Sequence, residues 1–304
     1  MINKHICCEL QSIVEKVNFF SNEPMKNHTS FKVGGKVEIL LTPNTEEQIK
    51  KILIILMKKN IPFYIMGNGS NLLVSDQGFN GVIIKIYNNF NNYSVEENII
   101  SAQSGILLSK LAKVALKSDL SGLEFASGIP GTLGGAVTMN AGAYGGEMKD
   151  VLISAHVIDK KGNISEIVNG NLKLGYRTSA IQANDLIVLS AKVKLKNAST
   201  KEISDLMKDL DRKRKSKQPL EWPSAGSTFK RPEGHYAGKL IEDSGLKGFR
   251  IGGAQVSEKH CGFIINKEKA TAKDIDDLIR HVQTVIYKKF NVKLETEVKR
   301  LGKF

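Results

Sequence analysis

GLEFASGIPGTLGGAVTMNAGAYGG, residues 122–146, governs the reading of the 304-residue chain. It packs eight of the chain's 27 glycines into 25 residues, a density too costly in backbone entropy for an ordinary helix or strand. Ala126, Ser127, Ala136, Thr138, Ala141 and Ala143 fill the gaps, so little bulk stands over the main chain. Backbone N–H groups are then left to face a ligand, and such groups suit a pyrophosphate or the polar edge of a fused ring. A flexible linker would share the glycines but not the interleaved Phe125, Ile129, Leu133, Val137 and Met139.

A second glycine turn lies upstream. A strand expected over 63–66 runs into GNGSNLLVSD, where Gly67 and Gly69 begin a GxGxxG but Leu72 takes the third glycine's place. The apolar pattern that follows, Leu73–Val74 and then Val82–Ile86, is that of strands. A Rossmann fingerprint needs strand, glycines and then helix, so that fold is excluded. A phosphate-binding turn between strands remains, beside a plain tight turn.

Elsewhere the periodicity alternates between helix and strand. Residues 1–22 carry Ile6, Leu10, Ile13, Val14 and Val17 at helical spacing, and residues 28–43 read as two strands about a Gly34-Gly35 turn. Thr45 with Gln48 and Thr271 with Asp274 form capping boxes ahead of apolar helical stripes. A further helix is expected over 106–116, and strands over 151–158, 164–168, 186–195 and 292–298. The polar NASTKE at 197–202 marks a boundary, after which Thr200 caps a helix with Ile203, Leu206, Met207 and Leu210 inside.

Lys and Arg outnumber Asp and Glu by 44 to 31, a net charge of +13. The excess is spread along the chain, and its one tight cluster, DRKRKSK at 211–217, reads as a solvated helix end. An anionic small substrate answers that charge as well as a nucleic acid does. Three cysteines, two of them adjacent, make neither a disulfide framework nor a zinc site. No apolar run reaches membrane length, so a cytoplasmic protein without a membrane or metal partner is expected.

HExxH, Walker A and GxSxG motifs are absent, and GHYAGK at 234–239 is one residue short of a P-loop. Arg177 in YRTS suits a carboxylate or phosphate, though a surface ion pair answers it too. Ser227 in AGSTFK could donate a proton or simply serve a turn. Glu295 and Glu297 alternate on the last strand and face one way, either to solvent or into a site where one is protonated. Taken alone, these features define an α+β protein with two glycine-lined surfaces for an anionic ligand.

SFKVGGKVE, GNGSNLLV, SGIPGTLGGAVTMNAGAYGGE, YRTS, AGSTFKRP, LKGFRIGGAQVSEKH and LETEV stand in one order and spacing. In this they closely resemble the UDP-N-acetylenolpyruvoylglucosamine reductase (MurB) family, from about residue 27 to 301. The resemblance implies an α+β fold: a FAD-binding domain of the vanillyl-alcohol-oxidase (PCMH) type with two subdomains over 1–199, then a C-terminal α+β substrate-binding domain over 200–304. It implies noncovalent FAD held by Gly67, Asn68, Gly69, Ser70, Asn71, Gly128, Ile129, Pro130, Gly134, Gly135, Asn140, Ala141 and Gly142.

The implied reaction passes hydride from NADPH to flavin N5 and on to C3 of UDP-N-acetylglucosamine enolpyruvate, with a proton to C2. The product is UDP-N-acetylmuramate, a peptidoglycan precursor. By motif position Ser227 is the proton donor, and Arg177 and Glu297 stabilise charge on the substrate carboxylate. Tyr176, Lys217, Arg231, Lys247 and His260 match substrate-side residues. Arg231 stands where one branch of the family has Asn. The interval from Arg177 to Thr200 is too short for that branch's inserted tyrosine loop, so the chain resembles the shorter branch. A monomer with no nucleic-acid partner is expected.

Overall fold

The computed structural model describes residues 2–304, and the chain divides into two compact units. The first comprises the residues up to Ser21, Ile39–Asn68 and Gly81–Arg214; the second comprises Asn22–Glu38, Gly69–Asn80 and Lys215–Phe304. Two short N-terminal segments thus belong with the C-terminal third. The sequence boundary at 199/200 falls at the start of the helix Thr200–Lys217, which runs in the first unit as far as Arg214.

The first unit has two hydrophobic cores, in keeping with two subdomains. One forms between the helix Glu46–Lys58 and a four-stranded sheet ordered Phe19–Pro24, Lys36–Leu41, Phe79–Lys85, Phe63–Met66. The helix buries Ile49, Ile52, Leu53 and Leu56, one face at 3.6-residue spacing, each burial worth roughly 1.5–3 kcal/mol. Its cap is a capping box displaced by one residue: Thr45 Oγ1 accepts from Gln48 N–H at 3.2 Å, while Gln48 Oε1 accepts from Asn44 N–H at 2.7 Å. Phe63–Met66 and Phe79–Lys85 run parallel, with Phe63 opposite Val82. Where a Rossmann unit would join such strands by a helix, this chain inserts the glycine turn and the strand Leu72–Val74.

The N-terminal helix is shorter than its apolar spacing suggests. It spans only Lys4–Gln11, and Val17 is 72% exposed. The aromatic Phe19–Pro24 segment is drawn into the sheet, and pairing there overrides the helical pattern. Residues 28–35 likewise form turns in place of the first expected strand.

The second core lies on a five-stranded antiparallel sheet, ordered Ile164–Val168, Leu152–Ile158, Ile187–Lys194, Ile99–Gln103, Tyr93–Glu96. The helices Leu108–Lys117 and Leu133–Met139 supply Leu108, Leu111, Ala115, Leu133 and Val137 to it.

The second unit centres on the helix Ala272–Phe290, whose Ile275, Leu278, Ile279, Val282 and Ile286 are buried with Ala254, Val256 and Ile264 of a three-stranded sheet. Thr271 and Asp274 complete the expected capping box. The Asp76 carboxylate, from the early segment, accepts from the N–H groups of Ala272 and Lys273, both at 2.9 Å. Acid at a helix N-terminus satisfies otherwise orphaned donors and meets the positive end of the dipole. Leu72–Val74 pairs in parallel with Lys299–Leu301. The strand expected over 292–298 is not regular: the chain there makes one isolated bridge, Phe229 opposite Thr296, and the regular strand begins at Lys299.

Candidate active site

The two glycine segments meet within the first unit. A Cβ on Gly67 would lie 2.3 Å from Thr132 Oγ1, so only glycine lets the first turn approach the second. Asn68 Nδ2 then donates to the Pro130 carbonyl at 2.6 Å. A Cβ on Gly134 would lie 2.9 Å from Ser104 Cβ, whereas on Gly135 it would meet only Thr132 Oγ1, at 3.7 Å. Not every N–H of the stretch faces a ligand. Ile129 N–H donates to Ala126, Leu133 N–H to Ile106 and Gly134 N–H to Ser104 carbonyls, at 3.0, 2.8 and 2.8 Å. Those bonds hold the stretch rigid, and a dinucleotide fits over the small-residue surface that remains.

Asn140 is buried and in the left-handed conformation, φ +43°. Its side chain serves the scaffold: Nδ2 donates to Glu147 Oε2 at 2.9 Å and to the Gly175 carbonyl at 3.1 Å, and Oδ1 accepts from Lys149 N–H at 2.9 Å. Ala141 and Gly142 follow into a tight hairpin, Gly142–Ala143 on Gly146–Glu147. The Lys149 hydrogen bond, with lesser help from Asn140 and the Arg177 charge, holds the Glu147 carboxyl below the usual carboxylate range.

Gly175 opens the turn that presents Tyr176 and Arg177. Gly175 and Thr178 bridge each other, Gln182 Nε2 donates to the Arg177 carbonyl at 3.2 Å, and Ser179 Oγ donates to the Thr138 carbonyl at 2.6 Å. Arg177 is thereby held at φ +56°, a conformation costing a bulky residue about 1–2 kcal/mol. Its guanidinium lies 5.2 Å from the centroid of the Tyr176 ring. Backbone strain over-determined by four neighbours is a mark of functional sites.

Arg214 has no counterpart in the sequence reading, which assigns its whole cluster to a solvated end. It is the half-buried member of that cluster, and a Cβ on Gly128 would lie 2.8 Å from its Nη1. Burial lowers its pKa from the usual guanidinium value, with the Tyr144 and Asp211 charges opposing the shift, yet a guanidinium stays cationic at neutral pH. The available signal was position: Ile203, Met207, Leu210 and Arg214 follow at spacings of four, three and four along one helix face. The helix is also capped one residue earlier than expected, by Ser199 and Glu202, while Thr200 Oγ1 bonds Asp119. Leu206, expected inside, is 46% exposed.

In the second unit, backbone pairing brings Ser227 and Glu297 together. Gly226, at φ +76°, turns the chain so that Ser227 is exposed and Thr228 is wholly buried. Thr228 N–H donates to Gly262, its Oγ1 accepts from Ile264 N–H and its carbonyl accepts from Glu297 N–H, at 2.9, 3.1 and 2.9 Å. Glu297 is half-buried, whereas Glu295 is exposed and paired with Lys230 at 2.9 Å. That pairing lowers the Glu295 pKa, so the two acids have different surroundings.

His260 is half-buried and stands edge-on to Phe263. Burial pushes its pKa down, and its Nδ1 accepts from Gly262 N–H at 3.1 Å, which leaves Nε2 carrying the proton in the neutral ring. Arg231 lies 4.1 Å from the Tyr236 ring centroid, Lys247 pairs with Glu242 at 3.2 Å, and Lys217 is exposed at the end of its helix. Gly69, Ser70 and Asn71 belong to this unit, Gly67 and Asn68 to the first, as do Tyr176 and Arg177.

Among the described residues no cluster of His, Cys, Asp or Glu could hold a metal, and no helix is long and apolar enough to cross a membrane. Cys7, Cys8 and Cys261 are not joined in disulfides.

Fold and glycine cradle together define a flavoprotein with a vanillyl-alcohol-oxidase-type domain: residues 37–167 match the FAD binding domain family. The same fold, at 14% identity and TM-score 0.51 over 65% of this chain, occurs in Phl p 4.0202, a glucose dehydrogenase. Residues 218–301 match the UDP-N-acetylenolpyruvoylglucosamine reductase C-terminal domain. The chain is 53% identical to the UDP-N-acetylenolpyruvoylglucosamine reductase of Clostridioides difficile (strain 630), over 99% of both chains. It is 56% identical to that of Clostridium botulinum (strain Hall), over 98% of this chain and 97% of the other. The crystal structure of the Thermus caldophilus enzyme (MurB) superimposes with TM-score 0.80 at 37% identity, over 92% of this chain and 98% of that one. The chain belongs to the UDP-N-acetylenolpyruvoylglucosamine reductase family, and it is an oxidoreductase.

Proposed function

We propose that the protein reduces UDP-N-acetylglucosamine enolpyruvate to UDP-N-acetylmuramate with NADPH. The observation that supports this reading is the Thr228–Glu297 backbone pairing, which joins the segment of the exposed Ser227 to that of the half-buried Glu297, in a chain of this family. Noncovalent FAD, when bound, relays hydride from NADPH to C3 of the enolpyruvyl group.

The chain's own residues do the rest. The glycine surfaces of residues 67–71, 128–135 and 140–142 receive the cofactor. Ser227 donates its proton to C2 and recovers one from water at its exposed face. Arg177 and a protonated Glu297 hold the substrate carboxylate, where negative charge builds as hydride adds; fixed donors aimed at developing charge lower a barrier most. Tyr176, Lys217, Arg231, Lys247 and the Nε2–H of His260 bind the nucleotide-sugar diphosphate. Residues 1–199 serve as the cofactor domain and 200–304 as the substrate domain of a cytoplasmic monomer.

The test is an anaerobic visible spectrum of the holoprotein. The flavin band bleaches on adding NADPH and returns on adding UDP-N-acetylglucosamine enolpyruvate. A band that bleaches but returns only with oxygen overturns the substrate assignment.

A further inference from the structure

Asn71 closes the GNGSN turn, and its contacts run to Glu297 and to the start of the strand Lys299–Leu301. Its Nδ2 donates to the Glu297 carbonyl at 3.1 Å, and its own carbonyl accepts from Lys299 N–H at 3.0 Å. Immediately beyond, Leu72 pairs with Lys299 and the parallel ladder runs on to Val74 opposite Leu301. Gly69, at φ +67°, has bent the main chain away before this point, so the ladder cannot extend back to residue 297. The Asn71 amide takes over as a side-chain rung.

The result is a residue held from both sides. Glu297 N–H is committed to Thr228 and its carbonyl to Asn71. Fixing a residue's N–H and its carbonyl fixes the two planar peptides that flank it, and with them the direction of the Cα–Cβ bond. The point and direction from which the carboxyl extends are thereby set. Asparagine suits this position because its amide donates without charge, whereas an aspartate of the same shape cannot donate and would set a negative charge against the Glu297 carbonyl.

We infer that Asn71 is the positioning residue of Glu297, fixing the direction of its carboxyl toward the substrate through the main chain. This rests on the function proposed above for Glu297. It also gives the last residue of the glycine turn a duty in the substrate step, beyond any contact with the cofactor.

The test compares the two half-reactions of FAD-saturated Asn71→Asp and Asn71→Ala holoenzymes by anaerobic stopped flow, with NADPH and then UDP-N-acetylglucosamine enolpyruvate. Asn71→Asp keeps shape and fold, and the flavin band reports cofactor occupancy in each variant. The oxidative half-reaction should slow about five- to tenfold more than the reductive one, one hydrogen bond's worth. In a Glu297→Ala background the same Asn71 substitutions should add less than about twofold, because the side chain they act through is already gone. Equal slowing of both halves, or an undiminished effect in the Glu297→Ala background, overturns the inference. Native enzyme that the enolpyruvate fails to reoxidise overturns the proposed function instead.

Discussion

Gly67→Ala tests the cradle most directly. The added Cβ would sit 2.3 Å from Thr132 Oγ1, 3.1 Å from Cγ2 and 3.2 Å from Cβ. Thr132 is 2% exposed and its hydroxyl caps Gly135 N–H, so it has little room to withdraw. Restoring an ordinary contact near 3.5 Å moves the turn by about 1 Å. The Asn68–Pro130 bond, 2.6 Å in the native chain, would then pass hydrogen-bond reach. One lost hydrogen bond costs about 1 kcal/mol and overpacking about 1–3 kcal/mol. If the strain is expressed in cofactor binding, the dissociation constant for FAD rises roughly 30- to 700-fold. Titration of apoprotein with FAD, followed by flavin fluorescence, measures this. Adding Thr132→Ala removes Oγ1 and Cγ2 and leaves only the Cβ contact, so the double variant should bind FAD at least about tenfold more tightly than Gly67→Ala, even after losing a cap worth about 1 kcal/mol. Native affinity in Gly67→Ala, or no rescue in the double variant, would refute the argument that this glycine is there for close approach.

Ser227→Ala should leave reduction by NADPH intact and slow the enolpyruvate half-reaction by on the order of 10²–10⁴; equal loss in both halves removes Ser227 as proton donor. Arg214→Met keeps the bulk over Gly128 and deletes the charge, and should raise the FAD dissociation constant about tenfold. Unchanged affinity with a lower melting temperature would make Arg214 a packing residue. Because burial lowers the His260 pKa, the unfolded chain takes up that proton first as pH falls. Its contribution to stability is therefore full above about pH 6.5 and is lost as the pH drops toward the folded-state value. His260→Gln should flatten the melting-temperature profile between about pH 5 and 7; a profile of unchanged slope assigns that slope to another group.

The sequence displayed whatever is local. The stripes Ile49–Leu56 and Ile275–Ile286 and the cap at Thr271 are set by neighbours three and four residues away, and they appear where the pattern puts them. The glycine turns were visible too, since Leu72 in place of a third glycine already ruled out the helix of a Rossmann unit. What failed was decided at long range. Phe19–Pro24 left a helical pattern because a sheet edge was open to it. The 292–298 segment is reduced to one bridge, at Thr296, because Thr228 and Asn71 bind Glu297 in place of a continuous ladder. Arg214 looked solvated because charge was weighed ahead of its place on the apolar stripe. The half-burial of Glu297 against the exposure of Glu295 could not be read from alternation, because Lys230 sits opposite only one of them.

The pairing of Asn71 with Glu297 spans 226 residues, and it bears on how the molecule is made. At a synthesis rate of about 5–20 residues per second, the turn and the Leu72–Val74 strand wait roughly 10–45 s for their partner to emerge. Through that interval Leu72, Leu73 and Val74, all buried at the end, present an apolar edge with unpaired main-chain groups. The first unit's two cores can condense meanwhile, while the second unit stays unfinished in the nascent chain and invites chaperones and proteases. Gly67 and Asn68 can settle early against Thr132 and Pro130, whereas Asn71, at the other end of the same turn, is fixed only when the far strand arrives.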